Sequence, residues 1–303
     1  MKIATTTEDF GKYCKTDEER IRELHRAGFR YIDLSMNFTP DSPYMQSGWE
    51  TEVKKIKELA AELNMSFVQA HSVMGNCFSE NESHIEHLVA ATVRSIEICN
   101  ILGIKNTVVH NGSKRGVGKE ECFEKNKRFY QKLFPAMEKY DVNVLTENKP
   151  SSKIADLYRT SSGADIKELV EYVDHPLFHA CWDVGHANCN GSQYDDILAL
   201  GKDMYAIHYH DNRGCDDEHL LPYFGILNHD EIIAALSDVG FGGYFTLEAT
   251  SSLIPSSYVY GDRRVFEKSK LLSEPQLFMR RHLESLLYDT AKHILSSYGV
   301  FEE

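Results

Sequence analysis

The sequence predicts an α/β fold in which eight parallel strands close into a (β/α)8 barrel, as a single domain over residues 1–303. Two observations carry this prediction. The length of 303 residues is ordinary for such a barrel. In addition, eight apolar, β-branched runs alternate with segments of helical period along the whole chain. Because each helix returns the chain to the same end of the sheet, this repeating order favours parallel strands.

The strands are predicted at eight short apolar runs that recur through the sequence. They are Lys2–Thr6, Tyr31–Met36, Ser66–His71, Asn106–His110, Val142–Glu147, Phe178–Asp183, Tyr205–His210 and Tyr244–Glu248. Their lengths are typical of strands in globular proteins. No Pro/Gly/Ser-rich linker or block of charge divides the series, so no second domain is expected.

The segments between these runs carry the period of amphipathic helices. Helices are predicted over Glu50–Leu63, Ile85–Leu102 and, at the end of the chain, Glu274–Ser297. Helical segments are followed by Gly28, Gly103 and Gly240, where a left-handed C-cap can form before the next strand. The connection Ser251–Ser273 is unusually long, and we expect it to be a mobile or capping loop.

The charge and cysteine content exclude several classes of protein. The chain has 46 acidic and 33 basic residues and a formal net charge of −13, which disfavours an extended nucleic acid as partner. Its seven cysteines form no CxxC pair, so we expect reduced thiols and a cytoplasmic location. We expect no signal peptide and no membrane span. Motifs for dinucleotides, P-loops and nucleophile elbows are missing from the sequence.

Six successive predicted strands end in side chains that can bind a metal ion. These side chains are His71, His110, Glu147, Asp183 with His186, His210 and Glu248. The carboxyl ends of barrel strands converge on one mouth, so residues far apart in sequence meet there. A mixture of imidazole and carboxylate suits Zn²⁺, Mn²⁺, Co²⁺ or Fe²⁺ better than Mg²⁺.

Structural roles compete with metal binding at these positions. A histidine at a strand end is often simply hydrogen-bonded, which is the alternative for His71 and His110. Glu147 and Glu248 follow buried runs and need a compensating cation, and Lys149 or an arginine could supply it as an ion pair.

The segment His208–Gly225 is long and polar for a loop after a strand, which is typical of a binding loop. Arg213 is a candidate anchor for a substrate hydroxyl, carboxylate or phosphate. Three roles remain open for Asp217 and His219: metal ligand, substrate contact or solvated loop residue. Alternation puts His208 on the same face as His210 but deeper in the barrel, where it is expected to be a buried core residue.

Four segments together resemble the xylose isomerase-like TIM barrel superfamily. They are VLTENKP around Glu147, CWDVGHAN around Asp183, HYHDNRGCDDEHLLP around His210 and FTLEAT around Glu248. The superfamily contains sugar and sugar phosphate isomerases and epimerases, inosose dehydratases, hydroxypyruvate isomerases and endonuclease IV. The resemblance implies a divalent metal held by those four residues, with His186 contacting substrate oxygens.

The resemblance also covers the additional ligands of the endonuclease members. His71, His110, Asp217 and His219 match those positions. We assign these four, together with Arg213, to substrate binding. Many relatives continue with Pro-Gly-x-Gly, whereas Pro222 is followed here by Tyr-Phe-Gly, so an unusual loop is expected.

The expected function is therefore a metal-dependent isomerase or epimerase of a small sugar or sugar phosphate. Glu147 and Glu248 are expected to transfer protons through an enediolate, aided by His186. The alternatives are a zinc phosphoesterase like endonuclease IV, a lyase like inosose dehydratase, and a sugar-binding barrel without turnover. The sequence leaves open whether the chain forms a homo-oligomer.

Overall fold

The predicted barrel is confirmed by a computed structural model, which describes residues 1–36, 42–150, 157–253 and 275–303. Eight parallel strands pair in sequence order, and the first pairs with the last to close the barrel. The strands are β1 (Lys2–Thr6), β2 (Tyr31–Ser35), β3 (Ser66–His71), β4 (Asn106–Val108), β5 (Asn143–Glu147), β6 (Phe178–Asp183), β7 (Met204–Tyr209) and β8 (Tyr244–Leu247).

Helices follow the strands and surround the barrel. They are α1 (Asp17–Ala27), α2 (Trp49–Glu62), α3 (Glu82–Leu102), α4 (Lys119–Gln131), α5 (Phe134–Tyr140), α6 (Gly163–Val173), α7 (Val184–Asn188), α8 (Tyr194–Leu200), α9 (His229–Asp238) and α10 (Leu277–Ser297). None of the helices in the described ranges combines the length and the apolar character that crossing a membrane requires.

Local sequence signals fix the ends of these helices. Thr16 and Glu19 form a capping box at the start of α1, and Gly28 ends that helix with φ +106°. The backbone of Gly103 and Gly240 is also left-handed, as predicted. Helix α3 begins earlier than predicted because the side chain of Asn81 accepts a hydrogen bond from the amide of His84.

Several predicted strands were too long by one or two residues. Met36, His110, His210 and Glu248 lie just beyond their strands, and Val142 precedes β5, whereas β7 starts at Met204. The chain leaves the ladder at these points and turns into the loops of the mouth, which apolar pattern alone does not reveal. The predicted start of the last helix at Glu274 and most of the Ser251–Ser273 connection lie outside the described residues.

A small apolar cluster inside the barrel lies beneath the strand-end residues. It consists of Val108, Leu145, Cys181 and Ala206. Each of these side chains stands two residues before a polar residue of the mouth, on the same face of its strand. The main core lies between the strands and the helices, where Trp182, Tyr130 and Phe245 are fully buried. The strand-end residues of the mouth therefore rest on a packed apolar layer.

The last helix is tied to the end of β8 by a buried ionic cluster. Arg280 donates to the carbonyl oxygen of Ala249 at 3.0 Å and pairs with Asp9 and Glu284. Asp9 in turn accepts from the hydroxyl of Thr5 at 2.7 Å. All of these side chains are buried. This cluster fixes the backbone that follows Glu248.

Candidate metal centre

A cavity of about 280 Å³ opens at the carboxyl ends of the strands. It is lined by Thr6, Glu8, Ser35, His71, Ser72, Met74, His110, Glu147, His186, Asp217, His219, Glu248 and Thr250. Seven of the strand-end and loop residues singled out from the sequence are among them. Asp183 and His210 lie directly behind, fully buried.

Three carboxylates from different strands approach one imidazole nitrogen at the base of this cavity. Nδ1 of His208 lies 2.5 Å from Oε1 of Glu147, 3.6 Å from Oε1 of Glu248 and 4.0 Å from Oδ2 of Asp183. Asp183 also lies 3.1 Å from Nε2 of His210. The structure thus gathers Glu147, Asp183 and Glu248 around Nδ1 of His208, whereas His210 contacts Asp183 and Asp217.

A second group joins β3, β4 and β5 through two histidines. Nε2 of His71 lies 3.0 Å from Nε2 of His110, which is 2.6 Å from Oε2 of Glu147. The ligand atoms of these three residues all lie within 4.8 Å of one another. Glu147 therefore bridges two groups of metal-capable residues.

A third group lies on the other side of the mouth. Its members are His186, His210, Asp217 and His219. Oδ2 of Asp217 lies 3.1 Å from Nε2 of His186 and 3.2 Å from Nε2 of His219. Oδ1 of Asp217 lies 3.6 Å from Nε2 of His210. One carboxylate thus faces three imidazoles.

Three of the histidines are oriented by backbone carbonyl groups. Nδ1 of His71 donates to Ser72 O at 3.0 Å, and Nδ1 of His186 donates to Asn148 O at 2.8 Å. Nδ1 of His219 donates to Glu248 O at 2.9 Å. Since the proton is on Nδ1, each ring presents Nε2 to the mouth, as metal-bound histidines do.

The backbone around Asp183 is built to hold its neighbours in place. The Asp183 carboxylate caps α7 by accepting from the amide of His186 at 2.6 Å. Asn148 brackets the residue, because its side chain bonds both the N–H and the C=O of Asp183. Gly185 leaves space for the ring of His210, and His219 itself has a strained backbone with φ +48°.

The carboxylates that line the cavity fall into two classes. The pKa is lowered for Glu147 and Asp217 and raised for Glu248. Burial opposes ionisation of Glu147, but the imidazoles of His208 and His110 hold its pKa well below the usual range. Burial likewise opposes ionisation of Asp217, whereas His219 and His186 keep its pKa low. Burial raises the pKa of Glu248 to about 8, and Glu147 adds to this effect. Without a cation, Glu248 is therefore protonated at neutral pH.

The pKa values of the histidines differ between the two sides of the mouth. They are lowered for His71 and His110 and raised for His186 and His219. Burial lowers the pKa of His71, and burial together with Lys149 lowers that of His110 to about 3. Burial also opposes protonation of His186, but Asp183 and Asp217 outweigh it and raise the pKa to about 9. The pKa of His219 is raised as well, chiefly by Asp217 against the effect of burial.

The donor set fits a divalent transition metal. Oδ1 of Asp217 and Nδ1 of His210 are buried and have no hydrogen-bond partner among the described residues, and Oε2 of Glu147 has only the close contact with Nε2 of His110. Within those residues, neither Glu147 nor Glu248 pairs with a lysine or an arginine, so the alternative ion pair with Lys149 does not form there. Within the described part of the chain, the basic groups in direct contact with these two carboxylates are histidines. A cation held between imidazole and carboxylate would satisfy the orphaned groups.

We predict that metal binding releases protons. Glu248, with a pKa of about 8, must lose its proton to act as a ligand, so metal affinity should rise with pH up to about 8 and then level off. Below that pH the rise should approach about tenfold per pH unit for each proton displaced. Calorimetric titration with Zn²⁺ in buffers of different ionisation enthalpy counts these protons. An affinity that is flat from pH 6 to 8 contradicts the ligand role of Glu248.

The structure does not bring Arg213 into the cavity. Its side chain is 56% exposed and pairs with Glu218 at 2.5 Å. The predicted anchoring of substrate by Arg213 therefore has no support from this geometry.

Sequence reasoning missed several residues of the site. His208 is buried as expected, yet it contacts Glu147 directly and is in contact with Gln69 and Asp33. Asp33 is a charged residue inside the largely apolar run YIDLS, and this pattern could have identified it from the sequence. Glu8 and Ser72, which line the cavity, carried no motif.

Comparison with known proteins assigns the family. A family model described as xylose isomerase-like TIM barrel matches residues 21–272. The chain belongs to this family. A solved D-tagatose 3-epimerase-like protein superposes with a TM-score of 0.73 at 19% identity, covering 99% of this chain and 100% of that protein. At this identity the likeness shows the fold alone.

Two curated relatives match only part of this chain. An uncharacterized protein of Methanocaldococcus jannaschii is 28% identical over 134 residues, which cover 42% of this chain and 44% of that protein. A probable endonuclease 4 of Methanoculleus marisnigri is 30% identical over 174 residues, covering 52% of this chain and 56% of the relative. The chain thus spans about half the length of each of these two.

Proposed function

We propose that the chain is a metal-dependent isomerase or epimerase of a small polyhydroxylated carbonyl compound, a sugar or a sugar phosphate. One observation carries the proposal: two carboxylates from opposite parts of the barrel, Glu147 and Glu248, approach the same point at the base of the cavity. Two such groups beside a metal-capable cluster suit the removal of a proton from carbon and its return.

Glu147, Asp183, His210 and Glu248 would hold the cation. When bound, a divalent cation supplies electrophilic polarisation of the substrate carbonyl and so makes the neighbouring C–H more acidic. The native ion is proposed to be Zn²⁺, Mn²⁺ or Co²⁺, because the set mixes nitrogen with oxygen donors.

The carboxylates would divide the proton transfer between them. One carboxylate removes the proton from carbon, and the other returns it to the opposite face or to the adjacent carbon. The first outcome is epimerisation, and the second is aldose–ketose isomerisation. His186, whose Nε2 side lines the cavity, would hold a substrate oxygen during either reaction.

The rest of the cavity wall supports a polyhydroxylated substrate. Hydroxyl groups come from Thr6, Ser35, Ser72 and Thr250, and a carboxylate comes from Glu8. The side chain of Ser72 is buried, at 2% exposure, and its Oγ has no hydrogen-bond partner among the described residues. Such a group is available to a substrate hydroxyl, since a buried polar atom without a partner is costly.

The test is a screen of ketoses, aldoses and cyclic polyols with Mn²⁺, Co²⁺ or Zn²⁺, followed by proton magnetic resonance in D₂O. We expect loss of one carbon-bound proton signal and growth of an epimer or isomer. Loss of water from a cyclic polyol would instead indicate the dehydratase reaction, which begins with the same proton abstraction. Tight binding with no exchange would mean a sugar-binding barrel without turnover.

A second candidate is a zinc phosphoesterase like endonuclease IV. The observation that favours it is the number of metal-capable groups: His71 and His110 extend the centre on one side, and Asp217 and His219 extend it on the other. The partial match to a probable endonuclease 4 is consistent with this reading. Against it stands the net charge of −13, which repels a polyanion.

Metal content and substrate together separate the two candidates. The isomerase reading predicts one tightly bound ion per chain and no cleavage of DNA that contains an abasic site. The phosphoesterase reading predicts two or three Zn²⁺ per chain by elemental analysis and cleavage of that DNA. Three ions with cleavage and no proton exchange would overturn the preferred proposal.

A further inference from the structure

The loop that follows β7 is folded around one buried carboxylate, that of Asp211. This residue is fully buried and is not among those that line the cavity. Its Oδ1 accepts from the backbone amides of Asn212 at 2.8 Å and Leu227 at 3.0 Å. Its Oδ2 accepts from the amides of Tyr223 and Gly225, both at 3.0 Å. The carboxylate thus joins the start of the loop to three points near its end.

The backbone of Asp211 closes the same loop a second time. Its N–H donates to the carbonyl oxygen of Leu220, and its own carbonyl oxygen accepts from the amide of Leu220, each at 2.8 Å. The segment 212–219 is therefore tied together at its base. This segment contains Asp217 and His219, whose side chains line the cavity. Their places depend on how firmly the two ends of the loop are joined.

Asp217 and His219 have little else to hold them in position. Among the described residues, the carboxylate of Asp217 is hydrogen-bonded only to imidazoles, at 3.1 Å from His186 and 3.2 Å from His219. The backbone of His219 is left-handed, with φ +48°, which is costly for a residue with a side chain. A loop that was free to relax would release this strain and move both side chains.

Two residues near the end of the loop show how closely the chain is drawn to Asp211. A Cβ on Gly225 would lie 2.2 Å from Oδ1 of Asp211 and 2.2 Å from the carbonyl oxygen of Asn212, so only glycine fits there. The backbone of Tyr223 is left-handed, with φ +74°, a conformation that favours glycine. The loop therefore keeps the hydrogen bond from Tyr223 to Oδ2 in spite of backbone strain.

We propose that Asp211 is a positioning residue, which holds Asp217 and His219 against the cavity by gathering the backbone amides of the loop. Four N–H groups converge on its two oxygens, and backbone amides can only donate. An asparagine in its place would therefore turn a nitrogen toward two of these donors. The inference rests on the proposed role of Asp217 and His219 in binding substrate, and it applies to either candidate reaction.

Three variants of the full-length protein test this role. Asp211→Asn keeps the shape of the side chain but removes one of its two acceptor oxygens. Gly225→Ala leaves the carboxylate intact and pushes the chain away from it. Tyr223→Gly is the matched control, because it keeps the amide that donates to Oδ2 and relieves the strained backbone. Nuclear magnetic resonance of the isotope-labelled histidine rings, at one fixed pH, shows the surroundings of each ring without reference to any substrate.

We expect the ring signals of His186 and His219 to shift or broaden in Asp211→Asn and in Gly225→Ala. The signals of His71 and His110, on the other side of the mouth, should stay unchanged, as should all four in Tyr223→Gly. In the two disrupted variants, KM for the compound that undergoes proton exchange should rise about tenfold or more while kcat stays within about threefold. A role in folding alone would lower thermal stability without this division between KM and kcat.

Unchanged signals of His186 and His219 in Asp211→Asn, or equal changes in all four histidines, would overturn the proposal. Changes in Tyr223→Gly as large as those in Gly225→Ala would also contradict it. Circular dichroism establishes which variants fold, and Gly225→Ala decides the matter if Asp211→Asn does not fold. Absence of proton exchange in the unmodified protein would contradict the proposed reaction, and the histidine signals would still decide the role of Asp211.

Discussion

Replacing either Glu147 or Glu248 with glutamine is expected to lower metal-dependent exchange of the substrate's carbon-bound proton by about 10³-fold or more. Glutamine keeps the shape of the side chain but can neither accept the proton nor contribute a negative charge to a cation. Glu147 is fully buried and Glu248 is 12% exposed, and both contact His208 at the base of the mouth, so a neighbouring carboxylate would have to move to replace either one. Proton magnetic resonance in D₂O measures the loss.

A matched control for the loss of a buried carboxylate is Glu284→Gln. Burial and the nearby Asp9 raise the pKa of Glu284 to about 8, so it is already protonated at neutral pH and glutamine replaces it closely. It lies outside the cavity, in the cluster around Arg280. Glutamine keeps an oxygen that accepts from Arg280, so the bond from Arg280 to Ala249 O should persist and exchange should be unchanged in this variant. Undiminished exchange in Glu147→Gln or Glu248→Gln would refute the scheme with two carboxylates.

Metal content measured on the same samples separates the two roles of each carboxylate. If the ion is lost together with activity, the residue acts mainly as a ligand. If the ion is retained and exchange is lost, the residue acts as the base or acid. We expect the larger loss of metal in Glu147→Gln, because Glu147 bridges two groups of histidines while Glu248 does not.

The barrel could be predicted from sequence because its signal is repeated eight times. The bounds of β6, Phe178–Asp183, agree with the predicted run, since a buried strand between a loop and a helix cap has sharp limits. The convergence of His71, Glu147, Asp183 and Glu248 could also be expected, because closure of the barrel forces strand ends together. For the barrel and its strand-end residues, the spacing of residue types along the sequence is enough to predict their place in the fold.

The buried contacts of His208 beneath Glu147 could not be predicted in the same way. Alternation identifies the face to which Gln69 and His208 point, but not their depth relative to each other. That depth depends on the stagger between strands, and the β2–β3 pairing contains a register shift between Ile32 and Asp33. Arg213 illustrates the opposite case, because its direction is set by the loop backbone and its pairing with Glu218.

Gly185→Ala is expected to disable the centre without replacing any of the proposed ligand residues. A Cβ at this position would lie 2.0 Å from Cε1 of His210, so the imidazole must move. His210 is fully buried and 3.1 Å from Asp183, and a displaced ring can no longer bind the same cation. Metal affinity should fall by about 10- to 100-fold, as when a ligand loses its support. Proton exchange should fall with it.

The effect of this substitution on the stability of helix α7 has the opposite sign to its effect on metal binding. The two effects can therefore be told apart. Gly185 lies within α7, and alanine is a better helix former than glycine by about 1 kcal/mol. A loss of metal binding therefore cannot come from weakening the helix and must come from the contact with His210. Gly242→Ala is the control, because a Cβ there meets nothing within 4 Å. Unchanged metal affinity in Gly185→Ala would mean that His210 is not a ligand, since its ring cannot stay where it is.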